Sequence, residues 1–196
     1  YYKTKRGLTD EQFKEFCALR MEQSATYSSK HRQALADACR ARGIALASHD
    51  DAKLEHVEES SGHGISVAEF PTTMVAAKAS HEAGMGVLMG APNVVRGGSH
   101  SGNIAAQNLA QAGVLDILSS DYVPFSLIQA PFILADAIED LSLAQAVAMV
   151  SANPARQVGL KDRGSIEKGK RADFVRASRL GPGPGEGPAI GTVPVV

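Results

Sequence analysis

The sequence lacks tryptophan, contains only two cysteines, and is poor in aromatic residues, which make up 5% of its 196 positions. Cys17 and Cys39 lie in segments with a helical pattern and have no CxxC partner, so we expect two reduced thiols rather than a disulfide framework. The formal net charge of −1 provides no overall attraction to nucleic acid or to an anionic membrane. No apolar run approaches the roughly 18 residues of a membrane span. We therefore expect a cytoplasmic globular protein whose partners include neither nucleic acid nor a membrane.

Four short apolar segments alternate with helical patterns in the middle of the chain. They are IALAS, GISVAEF, GVLMGA and VLDILSS. Each is apolar over most of its length instead of alternating, which is typical of parallel strands covered on both faces. The sequence therefore predicts the α/β class, with either an open parallel sheet or a βα barrel.

The remaining segments predict helices and a different C-terminal end. Thr9 and Gln12 have the spacing of a capping box, which predicts a helix over roughly residues 9–22, and a second helix is expected to follow His31. Ser142 is a candidate cap for a helix after the fourth strand. We expect domain boundaries that give a main unit at residues 1–160, the start of a small β unit at 161–180, and a loosely ordered Gly/Pro-rich tail at 181–196.

Polar or ionisable residues follow each predicted strand. They are His49, Asp50 and Asp51 after the first, Glu69 at the end of the second, the stretch Asn93–Asn103 after the third, and Asp121 after the fourth. Ligands bind at the carboxyl ends of the strands in α/β sheets and barrels. We therefore expect these side chains to converge on one edge of the fold.

Each of these residues has a structural and a functional interpretation. His49 either bonds a backbone carbonyl or gives neutral imidazole to a divalent metal, with Asp50 or Asp51 fixing its tautomer. One of the two aspartates is also expected to cap the next helix. Asp121 is either a helix cap, or a metal ligand and general base for an attacking water. Glu69 lies between apolar residues, where a carboxylate is costly unless it is paired or bound to metal.

The stretch RGGSHSGN, residues 96–103, is either a flexible surface loop or a phosphate cradle. Arg96 is a bidentate donor for phosphate, and glycines such as Gly98 are expected to leave backbone N–H groups free for a ligand. Ser99 and Asn103 add small polar groups, and Asn103 is a candidate for the start of a helix whose N-terminus favours anions. The stretch is not a Walker A motif, because no G-x-x-x-x-G-K-[ST] occurs.

Four motifs together resemble a known family. ASHDDA, AEFPTT, MGAPNVVRGGSHSGN and DILSSDYVP are similar to the PhnM-type ribose methylphosphonate triphosphate diphosphatases of the carbon–phosphorus lyase pathway, a branch of the amidohydrolase superfamily. ANPARQVGL and GSIEKGKRADFV resemble the superfamily's passage from its barrel into a β-sandwich. The resemblance implies a partial (β/α)₈ TIM-like barrel, containing about strands five to eight with their helices, plus the start of a small β-sandwich.

The resemblance also implies a reaction and assigns roles. It implies a hydrolase that uses a divalent metal (Zn, Mn or Mg) to release pyrophosphate from α-D-ribose 1-methylphosphonate 5-triphosphate. His49 matches the metal histidine of strand five, and Asp121 matches the strand-eight aspartate that activates water. Glu69 stands at the strand-six edge, where many relatives carry histidine, so it is either a ligand or a substrate contact. The residues expected to face the polyphosphate are Arg96, Gly98, Ser99, His100 and Asn103.

One family motif is missing. Superfamily members carry an HxH pair after their first strand, and this sequence contains none. We therefore expect the chain to be the C-terminal half of such an enzyme and to be inactive alone. Expected partners are a phosphorylated small-molecule substrate, and a second copy of the chain or other proteins of the carbon–phosphorus lyase pathway. The alternatives are another amidohydrolase activity, such as a deaminase or deacylase, and a non-enzymatic α/β domain that binds a phosphorylated ligand.

Overall fold

The computed structural model describes residues 2–99, 102–180 and 189–193, and it divides the chain into compact units at residues 1–44 and 45–196. The first unit contains α1 (Tyr2–Arg6) and α2 (Asp10–Arg40). The second contains, in order, β1 (Ala47–His49), α3 (Leu54–Gly62), β2 (Val67–Glu69), α4 (Met74–Glu82), β3 (Gly86–Gly90), α5 (Ala91–Arg96), α6 (Ala106–Gln111), β4 (Ile117–Ser119), α7 (Ser126–Ala137), α8 (Leu143–Ala148), α9 (Ala152–Gln157), β5 (Arg176–Leu180) and β6 (Ala189–Val193). Within these described ranges, no helix combines the length and apolar character needed to cross a membrane.

The predicted capping box is confirmed at the start of α2. The Thr9 hydroxyl accepts from the backbone N–H of Gln12 at 3.2 Å, and the Gln12 side chain accepts from the N–H of Thr9 at 3.0 Å. The prediction of two separate helices is wrong, because α2 continues for 31 residues and includes His31 in its interior. Residues 23–30 contain serine, threonine and tyrosine but no glycine or proline. Each of these residues costs only a few tenths of a kcal/mol in a helix, so none of them ends it.

Four strands form one parallel sheet in the order β1-β2-β3-β4. Ala47 pairs with Val67, Val67 pairs with Gly86, and Leu88 pairs with Ile117. The predicted α/β class with parallel strands is thereby confirmed, and each strand lies beside its neighbour in the chain. The hydrogen-bonded strands are three to five residues long, shorter than the apolar segments that predict them.

The main core lies where β3 and β4 pack against the helices that follow them. Val87 of β3, Leu109 of α6 and Leu134 of α7 are completely buried in this cluster. Burying a side chain of this size contributes about 1.5–3 kcal/mol relative to leaving it exposed. This packing holds β3 and β4 in place, and with them the residues at their carboxyl ends.

The opposite, amino end of the sheet is closed by Gln157 at the end of α9. Its Nε2 donates to the carbonyl oxygens of Ser66, at 2.6 Å, and of Gly84, at 3.3 Å. A Cβ at Gly86 would lie 2.8 Å from Cγ of Gln157, so glycine is the residue that leaves room for this contact. Gln157 thus covers the amino ends of β2 and β3, on the opposite side of the sheet from the carboxyl ends of the strands.

Charged side chains tie together the connection after α9. Arg163 donates to both carboxylate oxygens of Asp162, at 2.9 and 3.0 Å, and this hydrogen bonding lowers the pKa of Asp162. The hydroxyl of Ser165 donates to Glu167 at 2.6 Å, and Lys170 donates to the same oxygen at 3.1 Å. The Ser165 hydrogen bond, followed by Lys170, holds the pKa of Glu167 below its ordinary value.

A two-stranded antiparallel sheet, β5 with β6, follows this connection. The predicted small β unit therefore begins as a strand only at Arg176, near the end of the expected range. β6 lies inside the tail at residues 181–196 that composition predicts to be loosely ordered, and the assignment of that tail stays a prediction. Backbone pairing with β5 accounts for the strand, since the five residues of β6 contain no proline. The boundaries after residues 160 and 180 stay predictions.

Candidate active site

A cleft of about 270 Å³ opens at the carboxyl ends of the parallel strands. Its lining comprises His49, Asp50, Phe70, Pro71, Met89, Gly90, Pro92, Asn93, Arg96, Ser99, Asn103, Ile104, Asp121 and Tyr122. The structure thus brings six of the residues singled out in the sequence to one place: His49, Asp50, Arg96, Ser99, Asn103 and Asp121. Asp51, Glu69 and Gly98 are not in the lining. The predicted His100 lies outside the described residues.

His49 ends β1 and faces a carboxylate. Its Nδ1 lies 3.1 Å from Oδ2 of Asp50, and its ring contacts that of Phe70 with centroids 5.5 Å apart. A carboxylate on Nδ1 favours the tautomer that keeps the lone pair on Nε2, the arrangement common in metal-binding histidines. The imidazole partner is therefore Asp50 rather than the backbone carbonyl of the structural interpretation. Metal binding by His49 stays a prediction.

The expectation that Asp50 or Asp51 caps the next helix is wrong. The residue at the N-cap of α3 is Lys53, and its side chain makes no capping bond. Asp51 is instead buried, with 7% of its surface exposed, and accepts from the hydroxyls of Ser48 at 2.6 Å and Ser60 at 3.2 Å. These bonds connect β1, the turn after it and α3. Asp51 thus anchors the segment that carries His49 and Asp50, without lining the cleft itself.

Asp121 lies two residues beyond β4, next to the end of β3. A Cβ at Gly90 would lie 3.3 Å from Oδ2 of Asp121 and 3.2 Å from Cε1 of Phe70, so the carboxylate sits over a position that has no side chain. The interpretation of Asp121 as the cap of the next helix is wrong, because Phe125 occupies the N-cap of α7. Its carboxylate is exposed in the cleft, where it can accept a proton from water or bind a cation.

Glu69 is placed differently from the other candidate ligands. It pairs with His49 in the sheet and is half-buried, but it does not line the cleft. In the part of the chain that the structure describes, no three His, Cys, Asp or Glu side chains gather as a metal site. His49 and Asp121 fit two positions of such a site, since both donor types bind divalent metals. A complete set would require ligands beyond these two.

The stretch after β3 is partly helical. Arg96, expected to begin a loop or a phosphate cradle, instead ends α5, which has Pro92 in its first turn. Gly97, at φ 83°, ends that helix, and its N–H donates to the carbonyl of Val94 at 3.0 Å. The N–H of Gly98 donates to Asn93 at 2.9 Å. The expectation that these glycines leave free N–H groups is therefore wrong, because both groups cap α5.

The expected helix start at Asn103 is also displaced. α6 begins at Ala106, with Ala105 at its N-cap, and the N–H of Ala106 donates to Oδ1 of Asn93 at 3.0 Å. An amide from the preceding helix thus performs the capping that was expected of Asn103. Asn103 itself lines the cleft together with Ser99, so both stay candidates for polar contacts with a ligand.

Two aromatic residues of the cleft were not among the site residues predicted from the sequence. Phe70 follows β2 and contacts the ring of His49, while Tyr122 follows Asp121 and accepts a hydrogen bond from Nη1 of Arg96 at 3.1 Å. The one feature of the sequence that could have indicated them is their position at strand ends, directly after Glu69 and Asp121. Phenylalanine is not a residue type that a search for ionisable groups would find.

Three non-glycine residues at this edge have a left-handed backbone. Asp50 has φ 61°, Phe70 has φ 53° and Asp121 has φ 47°, and all three line the cleft. Such a conformation costs about 1–2 kcal/mol per residue and is least tolerated by a bulky side chain such as phenylalanine. No other described residue apart from glycine has a positive φ. Strain of this kind clusters at functional sites.

The model of a protein family described as the amidohydrolase family matches residues 11–179. The chain belongs to the amidohydrolase family. The resemblance to the PhnM-type branch is confirmed by a curated relative, the α-D-ribose 1-methylphosphonate 5-triphosphate diphosphatase of Escherichia coli strain K12. That relative is 55% identical over 180 residues, which cover 91% of this amidohydrolase chain and 48% of the relative. The chain thus spans about half the length of the curated relative that it matches.

A solved structure has a similar fold. The crystal structure of an uncharacterized protein aligns with 74% of this amidohydrolase chain and 41% of its own chain, with a TM-score of 0.55 and 20% sequence identity. At this identity the likeness concerns the fold alone.

Proposed function

We propose that this chain is part of a metal-dependent diphosphatase that releases pyrophosphate from α-D-ribose 1-methylphosphonate 5-triphosphate in phosphonate catabolism. The observation that carries the proposal is one cleft in which His49, Asp121 and Arg96 meet. A metal-binding histidine, a water-activating carboxylate and a phosphate-binding guanidinium are the groups that hydrolysis of a phosphoric anhydride requires. The diphosphatase from E. coli, 55% identical to this chain, supports the choice of substrate.

The strand order supports strands five to eight of a (β/α)₈ barrel as the larger architecture. A doubly wound sheet reverses direction and places its first strand in the middle, whereas a barrel keeps each strand beside its neighbour in the chain. The order β1-β2-β3-β4 follows the second rule. In a barrel the carboxyl ends of all eight strands surround one site, so the remaining strands would supply the ligands that His49 and Asp121 lack.

The residues of this chain would divide the chemistry as follows. His49, through Nε2, and Asp121 would hold a divalent metal, which when bound lowers the pKa of water and neutralises phosphate charge. Asp121 would accept the proton of the attacking water, because its carboxylate is exposed in the cleft and does not cap a helix. Asp50 would keep His49 in the required tautomer. Arg96 would bind the triphosphate and orient it toward Asp121.

The test is to combine this chain with the region of the E. coli relative that it does not cover, fused or as a separate polypeptide. The proposal expects pyrophosphate release in the presence of Zn²⁺, Mn²⁺ or Mg²⁺, and its loss when a chelator is added. Asp121→Asn should lower the rate by at least about 100-fold, the lower end for removal of a general base. Asp140→Asn, an exposed aspartate outside the cleft, is the matched control.

Two outcomes would replace the proposal. Release of ammonia without pyrophosphate, measured on amide and aminated ring substrates, would indicate a deaminase or deacylase on the same scaffold. Chelator-resistant binding of phosphorylated ligands without any hydrolysis would indicate a binding domain. A cytoplasmic location, self-association and contacts with other proteins of the phosphonate pathway belong to the same proposal and are tested by fractionation and co-purification.

A further inference from the structure

The side chain of Tyr122 projects into the cleft beside Arg96. Its hydroxyl accepts a hydrogen bond from Nη1 of Arg96 at 3.1 Å, and 60% of the residue surface is exposed. Arg96 ends α5, which follows β3, whereas Tyr122 follows β4. The hydrogen bond therefore joins the ends of two neighbouring strands across the cleft. Two side chains that are not neighbours in the sequence thus present their polar ends at one place.

A phenol can accept a hydrogen bond through its oxygen and donate one through its hydrogen. The oxygen accepts from Arg96, which leaves the hydroxyl hydrogen for another acceptor. In the described parts of the chain the Tyr122 hydroxyl donates to no protein acceptor. An anion bound by the guanidinium of Arg96 would lie within reach of this hydrogen, because both donors end at the same point. The phenol is also polarised by the cation, which makes it a better donor.

The charges around the cleft make such a donor valuable. Asp50 and Asp121 also line the cleft and repel an anion, while Arg96 is the one lysine or arginine among the described lining residues. A neutral hydroxyl adds a hydrogen bond to an anion at small desolvation cost, since it carries no charge of its own. Tyr122 can thus add a hydrogen bond to an anion at the Arg96 end of the cleft. A second cationic side chain there would compete with the metal for the carboxylates of Asp50 and Asp121.

We infer that Tyr122 is a substrate-binding residue that donates a hydrogen bond to a phosphate oxygen of a phosphoric anhydride held by Arg96. This inference rests on the proposed function, because it assigns the Arg96 end of the cleft to the polyphosphate. The chemical class of the ligand is pyrophosphate and its organic esters.

The experiment measures pyrophosphate binding to this chain by calorimetry in the presence of Mg²⁺. Tyr122→Phe should weaken binding about five- to tenfold, the loss expected for a partly exposed hydrogen bond to a charged group. Tyr27→Phe, the same substitution at a 52% exposed tyrosine of α2, should leave binding unchanged. Circular dichroism and thermal unfolding of both variants show whether the fold is retained.

Direct donation is separated from mere positioning of the arginine by repeating Tyr122→Phe in an Arg96→Lys background. If the Tyr122 hydroxyl contacts the phosphate, its removal still weakens binding at least about twofold there, whereas removal of a residue that acts only through the guanidinium has no further effect. A folded Tyr122→Phe variant that binds pyrophosphate like the wild type, or no further loss in the lysine background, overturns the inference alone. A wild-type chain that does not bind pyrophosphate overturns the phosphate assignment of the cleft, and the inference with it.

Discussion

Replacing Gly90 by alanine tests whether the cleft depends on the missing side chain at the end of β3. The added Cβ would lie 3.2 Å from Cε1 of Phe70 and 3.3 Å from Oδ2 of Asp121. The backbone of Gly90, with φ −73° and ψ 127°, is one that alanine adopts without strain. The substitution therefore acts through these two contacts and not through the conformation of the chain.

The size of the effect follows from the two distances. Non-bonded carbon atoms prefer about 3.5–4.0 Å, so the ring of Phe70 and the carboxylate of Asp121 must move by a few tenths of an ångström. Overpacking costs about 1–3 kcal/mol in a core. Asp121 is exposed and able to yield, which places Gly90→Ala at the low end of that range. Alanine also restricts the unfolded chain, a gain of about 0.4–1 kcal/mol. The two contributions nearly cancel, so we expect a net change in the free energy of unfolding of within about 1 kcal/mol.

Catalysis should respond more strongly than stability. A displacement of about 1 Å in a reacting group can lower a rate about 100-fold, so a shift of a few tenths of an ångström at Asp121 should lower it roughly tenfold. The assays are urea unfolding of the chain and pyrophosphate release after it is combined with the region of the E. coli relative that it does not cover. Gly62→Ala is the matched control, because a Cβ there meets nothing within 4 Å and its backbone is not left-handed. A Gly90→Ala enzyme with the full rate of Gly62→Ala would refute the assigned position of Asp121.

Three further substitutions address residues that do not line the cleft. Gly86→Ala should destabilise the chain by about 1–3 kcal/mol in urea unfolding, because its Cβ would displace Gln157 from the amino end of the sheet. Asp51→Ala should cost about 1–3 kcal/mol in the same assay, since it leaves two serine hydroxyls without their acceptor. Ser165→Ala should raise the pKa of Glu167, measured by NMR titration. Because that pKa is lowered in the folded state, the stability it contributes is present above the unfolded pKa and lost as pH falls through the folded value.

The sequence predicts the parallel sheet because continuous apolar segments separated by helical patterns are typical of strands that helices cover on both faces. It predicts the beginning of α2 because the side chain of Thr9 accepts one of the first N–H groups of the helix. It does not predict α5, because Pro92 and the two glycines after Arg96 are typical of a loop. Proline is tolerated in a first helical turn and glycine just after the last, so the same residues also delimit a very short helix.

For the site, the sequence predicts several of the polar and charged residues that line the cleft and misses the aromatic residues that shape it. His49 and Asp121 are found because each follows an apolar segment, and ionisable groups at that position are informative. Which of two consecutive side chains at a strand end faces the cleft depends on the backbone conformation of the residues that follow the strand. At β2 the residue that enters the cleft is Phe70 and not Glu69, and nothing in local propensity indicates that a phenylalanine will adopt φ 53°.

The three left-handed residues show how the fold sustains its strained edge. The N–H of Asp50 donates to the carbonyl of Glu69 at 3.1 Å, and that of Phe70 donates to Leu88 at 2.9 Å. Both bonds continue the sheet's ladder one residue beyond the strand. Two inter-strand hydrogen bonds contribute about 0.5–1.5 kcal/mol each, comparable to the cost of a left-handed residue. The strands can therefore turn abruptly at their ends without losing backbone pairing, and the residues at these turns direct the imidazole–carboxylate pair and the phenylalanine ring into a common cleft.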